Sequence, residues 1–230
     1  MTIAEVLAWL RARANADNVA GMARYGIATK TALGVPVKDL RGLARQIRKD
    51  HGLAAELWAS GIHEARILAT IVDERDHVTK TQMRAWARDF DSWDVCDQAC
   101  QNLFRYTPHA WAMAVEWAKA KPEFVRRAGF SLMAGLAGKD KAAGDDRFVA
   151  LLPLIAQAAT DQRNMVRKAV NWALRAIGKR NPALRRAAIR AAEEIRRMDS
   201  KSARWVAGDA LRELSAISDQ LSARARKGHG

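Results

Sequence analysis

The chain has 230 residues, 49% of them hydrophobic, with a formal net charge of +14. That apolar fraction excludes general disorder, and no apolar run approaches the roughly 20 residues needed to span a bilayer. The excess charge is uneven. Residues 1–120 hold 16 Lys/Arg against 14 Asp/Glu, whereas residues 121–230 hold 23 against 11, the asymmetry expected of a surface that meets a polyanion.

Apolar residues recur at helical spacing almost throughout, and no stretch alternates long enough to predict a strand. In chain order the pattern predicts helices near 2–16, 36–49, 51–59, 63–74, 79–90, 92–104, 108–120, 122–138, 146–159, 163–179, 181–198 and 201–216. Pro36, Pro108, Pro122 and Pro182 stand where helices begin; Gly138 and Gly178 stand near helix ends. Met1-Thr2-Ile3-Ala4-Glu5 has no basic region of the kind that opens a secretory signal. Cys96 and Cys100, four apart in one predicted helix, suit reduced core thiols, so a cytoplasmic location is expected.

A weak repeat runs through the second half. Phe124-Val125-Arg126-Arg127-Ala128 aligns with Met165-Val166-Arg167-Lys168-Ala169 at an offset of 41, and Ala173-Leu174-Arg175 with Ala210-Leu211-Arg212 at 37. Periods near 40 in an all-helical chain predict stacked helix pairs, an all-α HEAT-like solenoid whose concave face carries the basic charge. With no Pro/Gly/Ser-rich linker, residues 1–220 are expected to form one domain, followed by a basic, irregular tail over 221–230. Arg127, Lys168 and Arg204 fall on every second predicted helix, one per repeat, and would line a phosphate-tracking groove, with Arg126 and Arg167 beside them.

The segment Asp89-Phe90-Asp91-Ser92-Trp93-Asp94-Val95-Cys96-Asp97 gathers carboxylates beside an indole in an otherwise basic chain. Ser92 suits an N-cap, and Asp94 suits the first helical turn. Asp97 follows Trp93 by four and shares its face, a pairing able to hold a cation against a ring, although a half-buried Trp with a salt-bridged Asp has the same spacing. Trp172 likewise follows Lys168 by four. Trp9, Trp58, Trp86, Trp111, Trp117 and Trp205 lie in apolar stripes and are expected in the core. Phosphate-binding glycine loops, Gly-x-Ser-x-Gly and His-Glu-x-x-His are absent, and His51, His63, His77, His109 and His229 are scattered. No metal site and no cofactor are expected.

From about residue 20 to 216 the chain resembles the AlkD-type DNA alkylation-repair glycosylases built of HEAT-like repeats. The resemblance rests on Ser92-Trp93-Asp94-Val95-Cys96-Asp97, on Phe124-Val125-Arg126-Arg127-Ala128, and on Val166-Arg167-Lys168-Ala169-Val170-Asn171-Trp172-Ala173-Leu174-Arg175 with Gly178-Lys179-Arg180-Asn181-Pro182. It implies a catalytic set of Trp93, Asp97, Arg127 and Trp172, with duplex DNA containing alkylated bases as partner and a monomeric enzyme. The implied reaction is hydrolytic release of N3-alkyladenine and N7-alkylguanine in base excision repair, without a deep base pocket. Members often place a second Trp where this chain has Ser92. Two other readings fit the same helices: a non-catalytic DNA-binding scaffold, and a HEAT-repeat protein-interaction module.

Overall fold

A computed structural model describes residues 1–227, without the side chains of 219 and 221–227. The described residues form fourteen α-helices, one 3-10 turn (Phe104–Tyr106) and no strand. They divide into two compact units, Met1–Ala110 and Trp111–Gly230. Among the described residues no helix is long and apolar enough to cross a membrane.

The first unit contains α1 (Ile3–Arg11), α2 (Ala16–Arg24), α3 (Val37–Ile47), α4 (His51–Ala59), α5 (His63–Val72), α6 (Lys80–Arg88) and α7 (Trp93–Asn102). Local chemistry sets the starts. Thr2 and Glu5 cap α1 reciprocally, and Asn15, Asp50 and Thr79 accept the orphan amides of Asn18, Leu53 and Gln82. The expected helix 2–16 stops at Arg11, and α2 was not anticipated. α2 is amphipathic but only nine residues long, with Val19 and Met22 as its only large apolar side chains, so its apolar stripe is brief. α5 packs on α3, α4 and α7 and is the central element, with Ile67, Leu68, Ala69 and Val72 at most 2% exposed. Trp58 and Trp86 stack with ring centroids 4.1 Å apart, 2° from parallel.

The second unit contains α8 (Ala110–Ala118), α9 (Glu123–Lys139), α10 (Asp145–Val149), α11 (Leu152–Ala158), α12 (Asn164–Arg180), α13 (Pro182–Arg196) and α14 (Lys201–Lys227). α9 and α12 form its most extensive packing, with α12, α13 and α14 mutually packed beside them. The predicted helix 146–159 is broken in two, with Pro153 in the first turn of α11, where its missing N–H costs nothing. α14 continues to Lys227, into the segment expected to be irregular; Ala, Arg and Lys are good helix formers. Residues 228–230 of the expected tail lie outside the described residues.

Candidate functional site: an acidic, aromatic cavity and a basic helix layer

The geometry of the first unit starts at Ser92. It occupies the N-cap of α7, but its side chain makes no capping bond. The Oγ–H instead donates to Asp94 Oδ1 at 2.5 Å, and His63 Nε2–H on α5 donates to Asp94 Oδ2 at 2.8 Å. Burial opposes the charge on Asp94, but the His63 hydrogen bond and charge outweigh it, helped by Ser92 and the Val95 amide. The carboxyl is thereby held below its ordinary value. Burial likewise pushes His63 down, yet Asp94, with Glu64 and Asp91, raises it overall. An imidazolium–carboxylate pair thus fastens α7 to α5.

This anchor orients the next turn. Trp93 is half-buried, and its Nε1–H donates to the Tyr25 carbonyl at the end of α2 (3.0 Å). Asp97, also half-buried, lies one turn further along α7. Both border a cavity of about 540 Å³ bounded by α2, the 27–37 loop, α5 and α7. The loop is pinned by Glu64, only 1% exposed, whose two oxygens accept the amides of Leu33 (2.8 Å) and Gly34 (2.6 Å). Gly34 has φ +78, and a Cβ there would come within 2.2 Å of the Asn15 carbonyl oxygen, so this turn requires glycine.

In the second unit the basic residues have several fates. Arg127 on α9 is 6% exposed, and its Nη1–H donates to the Met165 carbonyl of α12 (2.6 Å). Arg126 pairs with Asp161 (3.3 Å), which also binds Arg163 (2.6 Å). Burial works against Asp161, but Arg163 and then Arg126 hold its carboxyl below the ordinary value. Lys168 and Arg204 are exposed, with Arg204 in a loose 3.4 Å pair with Asp199. Trp172 is half-buried on α12, one turn after Lys168. Trp205, expected in the core, is 40% exposed, and the Arg167 guanidinium sits 5.0 Å from its ring centroid. Its helix turns Val206, Ala207 and Ala210 inward instead.

Comparison with known proteins gives a family. The model of the DNA alkylation repair enzymes matches residues 6–214, nearly the whole chain. The chain belongs to the DNA alkylation repair enzyme family. One solved structure, described as from "a new family of proteins related to the HEAT-like repeat DNA glycosylases with affinity for branched DNA structures", superposes with TM-score 0.81 at 18% identity. The match covers 96% of this chain and 95% of that one. At that identity the likeness concerns the fold, which is HEAT-like. No curated protein matches.

Within this repair-family chain, Trp93 and Asp97 lie together on α7, while Arg126 and Arg127 stand on α9, Arg167, Lys168 and Trp172 on α12, and Arg204 on α14. Sequence reasoning missed His63, Glu64 and the whole α2 wall of the cavity. His63 meets Asp94 across 31 residues, a separation no local spacing rule can detect. Asn15, a good N-cap followed by Val19 and Met22 at helical spacing, was a usable signal for α2 that Gly21 obscures. Among the described residues no group of three or more His, Cys, Asp or Glu could hold a metal ion. Cys96 and Cys100 are both fully buried on α7.

Proposed function

We propose that this chain is a DNA N-glycosylase that releases N3-alkyladenine and N7-alkylguanine from duplex DNA, acting as a cytoplasmic monomer. The observation that carries the reading is the pairing on α7: a half-buried carboxylate, Asp97, one turn after an indole whose orientation is fixed by its hydrogen bond to Tyr25. Family membership supports the repair context.

The chemistry asks little of the protein. A purine alkylated at N3 or N7 carries a positive charge, so the glycosidic bond breaks with its electron pair leaving on the base, which becomes neutral. The sugar is left as an oxocarbenium-like cation. Asp97 stabilises that cation by Coulomb attraction, and a water adds at the anomeric carbon, giving its proton to the carboxylate or to solvent. The face of Trp93 shields the sugar from bulk water. In the second unit, Lys168, Arg167 and Arg204 are assigned to phosphates, and Trp172 to the deoxyribose backbone. Arg127 contributes a guanidinium held in place by the Met165 carbonyl, and Arg126, committed to Asp161, adds charge rather than direct contact.

The test is release of free 7-methylguanine from methylated duplex DNA by the wild type and by Asp97→Asn. Losing one transition-state charge contact of roughly 3–4 kcal/mol lowers the rate by about 10²–10³, with DNA affinity unchanged or slightly tighter. Release by Asp97→Asn at the wild-type rate would refute the assignment. A second reading, a non-catalytic binder of distorted DNA, is favoured by the branched-DNA affinity of the structural neighbour. DNA binding by the wild type with no base release would select it.

A further inference from the structure

The tryptophans of this chain do not share one environment. Of the eight, all among the described residues, Trp205 alone is exposed, at 40%, while the others are buried or half-buried. A single apolar side chain at a surface is commonplace. Trp205 differs in its neighbours. It stands on α14 beside Lys201 and Arg204, both exposed, and the Arg167 guanidinium of α12 lies 5.0 Å from its ring centroid. The helix beneath it is firmly seated. Buried Ser202 donates to the Asp161 carbonyl (2.6 Å), and buried Asn171 of α12 donates to the Val206 carbonyl (3.0 Å). Bonds on both sides of Trp205 therefore tie α14 to α12 and to the turn before it.

The cations of α12 and α14 are not equally available. Toward the end of α12, Arg175 and Lys179 are held by Glu213, and Arg175 also meets Asp209 (3.6 Å), which binds Arg212 (2.8 Å). Carboxylates neutralise that stretch. Around Trp205, Arg167 binds the neutral side chain of Asn164 (3.3 Å) and Lys168 is exposed. Arg204 meets Asp199 loosely, at 3.4 Å, and both side chains are exposed. The available positive charge and the exposed indole therefore coincide. Gly208, one turn after Trp205, adds no side chain to this face. A Cβ there would have nothing within 4 Å, so the surface beside the ring is open.

A ring set among cations recognises nucleic acid in a particular form. Phosphates meet the cations whatever the strand's conformation, but the face of a base is hidden inside a duplex stack and is offered only by an unstacked nucleotide. We propose that Trp205 is a stacking platform for an unpaired base of DNA, with Arg167, Lys168 and Arg204 on the phosphates of the strand that carries it. The Arg167 guanidinium orients the indole and brings charge to the phosphate beside the stacked base. The inference rests on the DNA-binding reading of the basic layer and not on the glycosylase reading. It gives this layer a preference for DNA with unpaired nucleotides over continuous duplex.

The experiment uses the full chain and two unalkylated DNAs, a fully paired duplex and the same duplex with a bulge of unpaired thymidines. Affinities are read by fluorescence anisotropy at one fixed salt concentration. The wild type should bind the bulged duplex about fivefold or more tightly, the effect of one stacked base. Trp205→Ala should lose that preference with little change in thermal midpoint, whereas Trp205→Phe, which keeps a flat ring, should retain most of it. Gly208→Leu, which fills the surface beside the ring, should reduce the preference. Arg204→Ala, which removes a phosphate contact, should weaken both DNAs alike. Equal affinities of the wild type for the two DNAs, or a preference that survives Trp205→Ala, would overturn the proposal. Binding of neither DNA would overturn it together with the DNA-binding reading. A preference for the bulge without base release from methylated DNA would keep the platform and reject the glycosylase. Base release with equal affinities would reject the platform and keep the glycosylase.

Discussion

His63 and Asp94 set a pH dependence whose sign follows from which form folding favours. A base raised by folding stabilises the native state fully below its ordinary value, 6.5 for His63, and loses that contribution as pH climbs through the raised value. An acid held low stabilises above its ordinary value, 3.8 for Asp94, and loses the contribution as pH falls through the lowered one. The pair therefore contributes most in the mildly acidic range between them. The thermal midpoint of the wild type should exceed that of His63→Gln by more at about pH 6 than at about pH 9. A constant difference across that range would mean that the pair is not ionised as described. Arg127 calls for a different measurement. Because its guanidinium holds the Met165 carbonyl, Arg127→Ala should lower both the thermal midpoint and DNA affinity, whereas Lys168→Ala, exposed, should lower affinity alone.

Helix contacts separate the tryptophans that sequence periodicity groups together. Trp86 is 5% exposed and stacked on Trp58, whose indole N–H is satisfied by Asp89 at 2.8 Å. Trp86→Ala should cost about 3–5 kcal/mol in denaturant unfolding through lost transfer energy and a residual cavity. Trp205→Ala, at an exposed site, should cost far less, and equal losses would contradict the burial described for the two rings. Gly129 tests the approach of α8 to α9. A Cβ there would lie 2.4 Å from the Ala118 amide nitrogen, and backbone cannot swing aside as a side chain can. Gly129→Ala should therefore destabilise the fold by roughly 1–3 kcal/mol despite its better helix propensity.

On the scale of the whole chain, charge governs association. If the Lys/Arg excess of residues 121–230 faces DNA, affinity should fall with salt at a log–log slope of about −0.9 per phosphate neutralised. Lys168→Ala and Arg204→Ala should each reduce that slope by about one, and a salt-insensitive affinity would favour a protein partner instead. The all-helical class, the Pro-marked starts near Val37, Glu123 and Pro182, and the Trp93–Asp97 stripe were legible in the sequence, because capping and i,i+4 spacing are local properties. Other features came only with tertiary structure. α2 escaped because its stripe is only Val19 and Met22 in nine residues, with Gly21 between them, and the exposure of Trp205 escaped because a helix's periodicity does not say which face its neighbours cover. The diversion of Ser92 to Asp94, the clasp of His63 and the grip of Glu64 on the 33–34 amides each join groups about 30 residues apart or redirect a local cap toward such a partner. The sequence by itself determined which residues could carry the chemistry. Packing α2, α5 and α7 around one cavity decided which of them meet, because that arrangement depends on long-range contacts that no local pattern encodes.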